Sequence, residues 1–333
     1  MDFDRKGADA RLTPEAIDPA AQMTAELREH FRKRGDSRCV LVVDPACRAL
    51  VDRPEAGLVF SEQPRATVPV VHDAFPPEHS PYLLELDLSA PEGARLLRES
   101  VRLAAEDREP ARIARGQGQR IGGWLTSNAS LDDIAAHWSH LVLQKDDQGT
   151  TCLLRFYDSR ALALLWGALS AGQQQVLLGP VAAWHAPDAC GRLHAYTSDQ
   201  ALQSELQIEP EQWFAIRLHG FINKAVALHM HETGRQPRPS EIDTAVAAAL
   251  RAGRNGLTDP EDLVAFIRHA LVWHPRFDAH PRVRALLTRL SADDAYSWLV
   301  SELSDEEIEE IKRGEWDESA QAGPAGSATR SIT

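Results

Sequence analysis

Cysteine is scarce in this sequence and never closely paired. Cys39, Cys47, Cys152 and Cys190 lie far apart with no CxxC spacing, which argues against a zinc site or a disulfide framework. In a chain of 333 residues they read as reduced, mostly buried thiols of a cytosolic protein. Long hydrophobic runs are missing too. The longest, Ala161 to Leu169, falls far short of the ~20 helical residues that cross a bilayer. The opening MDFDRKGADARL has no apolar signal segment. Positive charge is in deficit, with 36 Lys and Arg against 49 Asp and Glu and a net charge of −13. Broad contact with a nucleic-acid backbone needs clustered cations, so neither nucleic acid nor membrane is an expected partner. The acidic surface suits solubility or a basic partner, in the cytoplasm.

Signatures of chemistry are equally thin. A serine hydrolase built on a sheet would show GxSxG; the nearest approach, Gly167-Ala-Leu-Ser170-Ala-Gly172, has its first glycine one position too far away. GQGQRIGG fails the dinucleotide fingerprint, because Ile121 takes the place of the third glycine and a strand follows. It reads as a flexible loop. His229 and His231 of HMHE point about 200° apart on a helix and cannot share an ion there. HExxH is absent, and His269, His274 and His280 are spread along a helix end and loop. The run Asp305, Glu306, Glu307, Glu309, Glu310 lacks the order of a calcium loop and reads as a solvated helix face. No catalytic residue, cofactor site or metal ligand is expected.

What is present is a soluble globular composition, 43% hydrophobic and 26% charged, long enough for two lobes. CVLVVDPA (39–46), TVPVVHDAF (67–75) and YLLELDL (82–88) read as strands. Residues 90–109 carry Leu96, Leu97, Val101 and Leu103 at helical spacing. GWLTSN (123–128) reads as a strand, and Asn128 or Ser130 can cap the helix that follows. HLVLQ and TTCLLRFY flank the turn signal KDDQG. A helix from Ser159, the segment QVLLGPVAAW and RLHAYT complete this part. Interleaved helices, strands and hairpins imply an α/β or α+β lobe with a mixed sheet flanked by helices over 20–198. An all-α lobe over 205–316 follows, in which Phe214, Leu218, Phe221, Ile222, Ala225 and Leu228 form one stripe. Residues 1–19 read as a flexible start and 317–333 as a disordered tail.

One stretch concentrates charge and aromatic area: LLRFYDSRAL, 153–162. As a strand it would place Cys152, Leu154 and Phe156 on one face, with Leu153, Arg155 and Tyr157 on the other. Asp158 stands where a helix N-cap is wanted. A half-buried Arg155 needs an anion, and Asp158 is the nearest in sequence. The stretch reads as a capped strand-to-helix corner. Docking through Arg155 and Arg160 remains open beside it.

The order of motifs from Gly122 onward resembles the domain that marks type VI secretion effector adaptors (chaperones). Those proteins show a Trp-Gly strand, a helix ending in His-Leu, a hairpin, an Arg-Phe-Tyr-Asp-Pro-Arg corner and a Gly-Pro…Trp strand. Here Gly123-Trp124 stands reversed and Val142 replaces a frequent arginine. His140-Leu141, Arg155, Phe156, Tyr157, Asp158, Arg160, Gly179, Pro180 and Trp184 match, and Ser159 replaces proline. Both residues suit the start of a helix. The similarity spans about 38–190 and is strongest over 123–184. It implies a non-catalytic adaptor that binds a cognate secreted effector in the cytoplasm and loads it onto the VgrG spike. Trp124, His140, Arg155, Tyr157, Asp158, Arg160 and Trp184 are the partner-binding residues it implies. The lobe junction is the expected place for an effector groove. The alternative is a hydrolase or transferase with a dispersed site built from Arg155, Asp158, His140 and residues of the C-terminal lobe.

Overall fold

The computed structural model describes residues 18–35, 37–46, 48–199, 205–290 and 295–317. Helix α1 (Pro19–Lys33) opens under Asp18, whose carboxylate accepts the Ala20 N–H at 3.0 Å. Strands β1 (Arg38–Val43), β2 (Arg65–Thr67) and β3 (Tyr82–Leu86) precede α2 (Pro91–Asp107) and the short α3 (Pro110–Ala114). Strand β4 (Ile121–Ser127) leads to α4 (Leu131–Ser139), started by a Ser130–Asp133 capping box. A hairpin of β5 (Leu143–Lys145) and β6 (Thr151–Leu153) is followed by α5 (Ser159–Ala168), α6 (Ala171–Leu178), β7 (Val181–Pro187) and β8 (Leu193–Tyr196). The remaining elements are helical: α7 (Pro210–Thr233), α8 (Pro239–Arg254), α9 (Pro260–Val272), α10 (Pro281–Thr288), α11 (Tyr296–Val300) and α12 (Asp305–Arg313).

Among the described residues the N-terminal lobe holds a six-stranded sheet in the order β2-β3-β1-β4-β7-β8, and β5 and β6 pair separately. Period-two alternation sorts its side chains into two cores. Cys39, Leu41 and Val43 of β1 join Leu27 of α1 and Leu97 of α2 on one face. Val40 and Val42 join Trp138 of α4, Leu162 of α5 and Val176 of α6 on the other. Beneath α2, the fully buried Asp107 accepts the Arg120 backbone N–H at 2.9 Å and its guanidinium at 2.8 and 3.0 Å, and also binds Arg48. That cluster fixes the end of α2 to the entry of β4.

The C-terminal lobe is built around α7. Ala245, Ala248, Ala249 and Ala252 of α8 are fully buried, and side chains this small let neighbouring helices approach closely. Phe266 meets Phe277 edge-on with ring centroids 4.8 Å apart. The Asp262 carboxylate accepts the Tyr296 and Ser297 N–H groups at 2.7 and 3.1 Å, so α9 supplies the cap that α11 lacks in its own sequence.

The expected lobe of sheet and helices followed by an all-helical region is therefore what the chain adopts, in its α+β form. Each described strand pairing is antiparallel. The structure differs from the sequence reading or adds to it at four places. The strand expected over 67–75 stops at Thr67, because Pro69 has no N–H to give, although Val68 and Val70 remain buried. In QVLLGPVAAW, Val176–Leu178 end α6, and Gly179, at φ +57°, turns the chain into β7. The glycine-rich connector ends earlier than expected, since Ile121 and Gly122 already lie inside β4, ahead of the expected strand start at Gly123. Helix α1 has no counterpart in the sequence reading. Apart from Asp18, Pro19 and Asp317, the expected flexible start (1–19) and disordered tail (317–333) lie outside the described residues, as does Cys47.

Candidate functional site

The corner at 153–162 organises the place where the two lobes meet. Strand β6 stops at Leu153, and a turn over Arg155–Asp158 follows, the Asp158 N–H donating to the Arg155 carbonyl at 2.9 Å. The turn breaks the alternation expected of a strand, so the adjacent Phe156 and Tyr157 are both buried while Arg155 reaches the surface. Phe156 meets Trp138 edge-on at 5.4 Å, and Trp138 stacks on Trp184 at 4.6 Å. Each such aromatic pair contributes about 0.5–1.5 kcal/mol beyond area burial. The indole N–H groups are satisfied, Trp138 by the Leu177 carbonyl at 3.2 Å and Trp184 by the Gly122 carbonyl at 3.0 Å. The corner rests directly on β4, where a Cβ at position 122 would overlap the Tyr157 carbonyl oxygen. That close approach is why a glycine sits there.

The charges of the corner are paired within the molecule. Asp158 caps α5 by accepting the Arg160 N–H at 3.0 Å, and it binds the Arg160 guanidinium at 2.8 and 3.2 Å. Burial works to raise its pKa, yet Arg160 and Arg155 hold it below the usual carboxylate range. Arg155 does not take Asp158 as its hydrogen-bonding partner. It reaches Asp44, at the end of β1, with Nη2 2.6 Å from Oδ2. The turn carries the guanidinium toward β1, and the anion comes from 111 residues away. Burial disfavours the Arg155 charge, but Asp44 and Asp158 outweigh it and raise its pKa. Burial leaves the Asp44 carboxyl raised despite Arg155. Burial likewise pushes the Tyr157 phenol up to about 12.

Helices α3 and α5 pack on α7, and between them and the corner lies a cleft of about 630 Å³. That volume is within the range of small-molecule and cofactor pockets. One wall is the corner and α5, with Leu153, Arg155, Arg160 and Leu165. The other is a face of α7 on which Ile216, His219, Gly220, Asn223 and Ala227 recur at three- and four-residue spacing, with Lys224 at its edge. Burial lowers the His219 pKa to about 4, so its imidazole is neutral at physiological pH. No serine, threonine or cysteine lines the cleft among the described residues. Nor, among those residues, does any group of three or more His, Cys, Asp or Glu stand where it would hold a metal ion. What the cleft offers is hydrogen bonding, apolar surface and one cation, Lys224, that is unpaired among the described residues.

The residues implied by the sequence fall into three groups. Arg155, Asp158 and Arg160 line the cleft. Tyr157, Trp124 and Trp184 are 1%, 0% and 0% exposed, so none of them presents a surface. The two tryptophans lie on opposite faces of the sheet, Trp124 donating to Ser100 Oγ at 2.9 Å. His140 is exposed at the end of α4 and is not among the cleft residues. Sequence reasoning missed Asp44 and the α7 face. Asp44 ends a strand before proline and looked like punctuation. On α7 the available signal was a glycine, Gly220, inside an otherwise uninterrupted helix.

Among the described residues, no helix is long and apolar enough to cross a membrane. No curated protein and no solved structure matches the chain. A family model does match residues 71–176, a stretch that includes β3, β4, the corner and α5, and its description is domain of unknown function (DUF4123).

Proposed function

We propose that this chain is an adaptor of type VI secretion, which binds a cognate effector in the cytoplasm and delivers it to the VgrG spike without itself catalysing a reaction. The observation that carries this reading is the family match over 71–176, which covers the corner and one wall of the cleft. The ordered motifs His140-Leu141 and Arg155–Asp158, typical of such adaptors, fall inside that stretch. The chemistry of the cleft agrees with holding rather than converting. Asp158 and Arg160 neutralise one another, Asp44 occupies Arg155, and the neutral His219 has no nucleophile beside it to activate. An effector segment that exposes apolar surface needs cover until it is loaded. Release then requires a contact of moderate size with polar groups at its edge.

The test is co-expression with the effector and spike proteins encoded beside the gene, followed by size-exclusion chromatography. Co-elution with the effector at a fixed stoichiometry is expected. If the chain elutes alone with every neighbouring effector and spike C-terminus tried, the adaptor reading is wrong.

A further inference from the structure

The face of α7 that lines the cleft has two features the fold itself does not use. His219, Asn223 and Lys224 have no hydrogen-bond or ion-pair partner among the described residues, while Arg155 and Arg160 on the opposite wall are both paired. Gly220, between them, is a mid-helix glycine with open space around it, since a Cβ added there would meet no heavy atom within 4 Å. Glycine inside a helix is unfavourable relative to alanine, and nothing packed against position 220 excludes alanine.

We propose that this cleft is a groove for an extended polypeptide segment that is apolar and carries a carboxylate, read by His219, Asn223 and Lys224 across the notch at Gly220. The proposal rests on the adaptor reading for the origin of that segment. An asparagine amide and a neutral imidazole each donate and accept, which is what a peptide N–H and C=O require. A peptide backbone can lie against α7 only where no side chain stands, and Gly220 supplies that place. The half-buried Leu153 and Ile216 offer apolar surface to its side chains. Lys224 supplies the one lining cation without an acid partner, so the complementary charge is negative. On a chain of net charge −13, an acidic segment gains nothing from the overall field, which leaves Lys224 to attract it locally.

The probe is a phage-displayed library of random dodecapeptides selected on the full chain, with enriched peptides then synthesised and titrated by fluorescence anisotropy. Enrichment of apolar peptides bearing Asp or Glu is expected. Their binding should weaken at least about tenfold on Gly220→Leu, which fills the notch, and about tenfold on Lys224→Glu, with the Lys224 contribution falling as salt rises. Gly220→Ala serves as the folding control and should raise the melting temperature. Absence of any enriched peptide overturns the proposal, as does binding that is indifferent to both Gly220→Leu and Lys224→Glu. A homodimer formed by the parent chain and lost in Gly220→Leu would assign the groove to a second copy and overturn it as well. Co-elution of an effector equally with the parent and with Gly220→Leu would end the groove proposal while leaving the adaptor reading standing. Peptide binding without any effector co-elution would do the reverse.

Discussion

The ion pair between Arg155 and Asp44 makes an asymmetric prediction. Asp44 is 1% exposed in its side chain, whereas Arg155 is 41% exposed. Arg155→Met therefore strands a carboxylate in the interior, where among the described residues the Ala46 N–H at 2.9 Å is its one remaining hydrogen bond. Breaking a fully buried pair costs about 3–5 kcal/mol. With one partner near half exposure, about 2–3 kcal/mol is the scale here. Asp44→Asn leaves a guanidinium that can turn into water, and asparagine can still accept from Ala46, so about 1 kcal/mol is expected. The double variant should cost less than the sum of the two. The effect also depends on pH. The folded-state pKa of Asp44 is already raised above the unfolded value of 3.8. Stability from this group is therefore present at low pH and is lost as pH climbs from 3.8 through the folded pKa. Removing Arg155 raises that pKa further, so the penalty of Arg155→Met is full at pH 7 and shrinks as pH falls toward 4. Urea denaturation followed by the fluorescence of the buried tryptophans, at pH 7 and pH 5, measures all three variants. If Asp44→Asn costs as much as Arg155→Met, or the Arg155→Met penalty is the same at both pH values, the reasoning is wrong.

Three further outcomes are open to measurement. Burial lowers the His185 pKa to about 4, against 6.5 unfolded, so its contribution is complete above pH 6.5 and is lost as pH falls toward 4. At about 1.4 kcal/mol per pH unit the loss is about 3 kcal/mol, and a His185→Phe chain should show a correspondingly flatter fall of stability in denaturation series between pH 6.5 and 4. Asp107→Ala removes the carboxylate that Arg120 and Arg48 share under α2 and leaves Arg120 the more distant Glu106 at 3.6 Å; a loss of about 3 kcal/mol is expected in urea titrations. Gly122→Ala drives a Cβ into the Tyr157 carbonyl and should displace the corner, seen as changed near-ultraviolet circular dichroism of the Trp138–Phe156–Trp184 cluster.

The elements whose signal is local were legible in the sequence, and those whose cause is remote were not. Asp158 reads as a cap because an N-cap bond spans two residues, and the structure has it. Ser304 caps α12 in the same local way, accepting the Glu307 N–H at 3.2 Å. The continuous apolar run 39–43 locates a buried strand, since both of its faces are covered. Val176–Leu178 defeats such reading, because a short apolar run looks alike in a helix and a strand and only Gly179 separates them. The Asp44–Arg155 pair is invisible for a different reason: sequence proximity favoured Asp158, and only the sheet order brings β1 to the corner.

The same distinction governs the cleft. Its corner wall was conspicuous because it is rich in charge, yet those charges are spent on holding the corner, Arg155 to β1 and Arg160 to its own cap. The α7 wall was inconspicuous because the side chains of His219, Asn223 and Lys224 bond to nothing among the described residues. Density of charge in a sequence thus marks where a fold is pinned, and recognition falls to side chains left without partners after the pinning is done. In a cleft with Arg155 and Arg160 paired, reversing either should disturb the corner before it disturbs a ligand. Lys224→Glu can alter a ligand contact with the fold intact, since no described residue depends on that ammonium group. A charge-reversal experiment that loses binding at Arg155 together with stability, and at Lys224 without it, separates the two walls. Equal loss of stability at both positions would show that α7 is pinned through Lys224 after all.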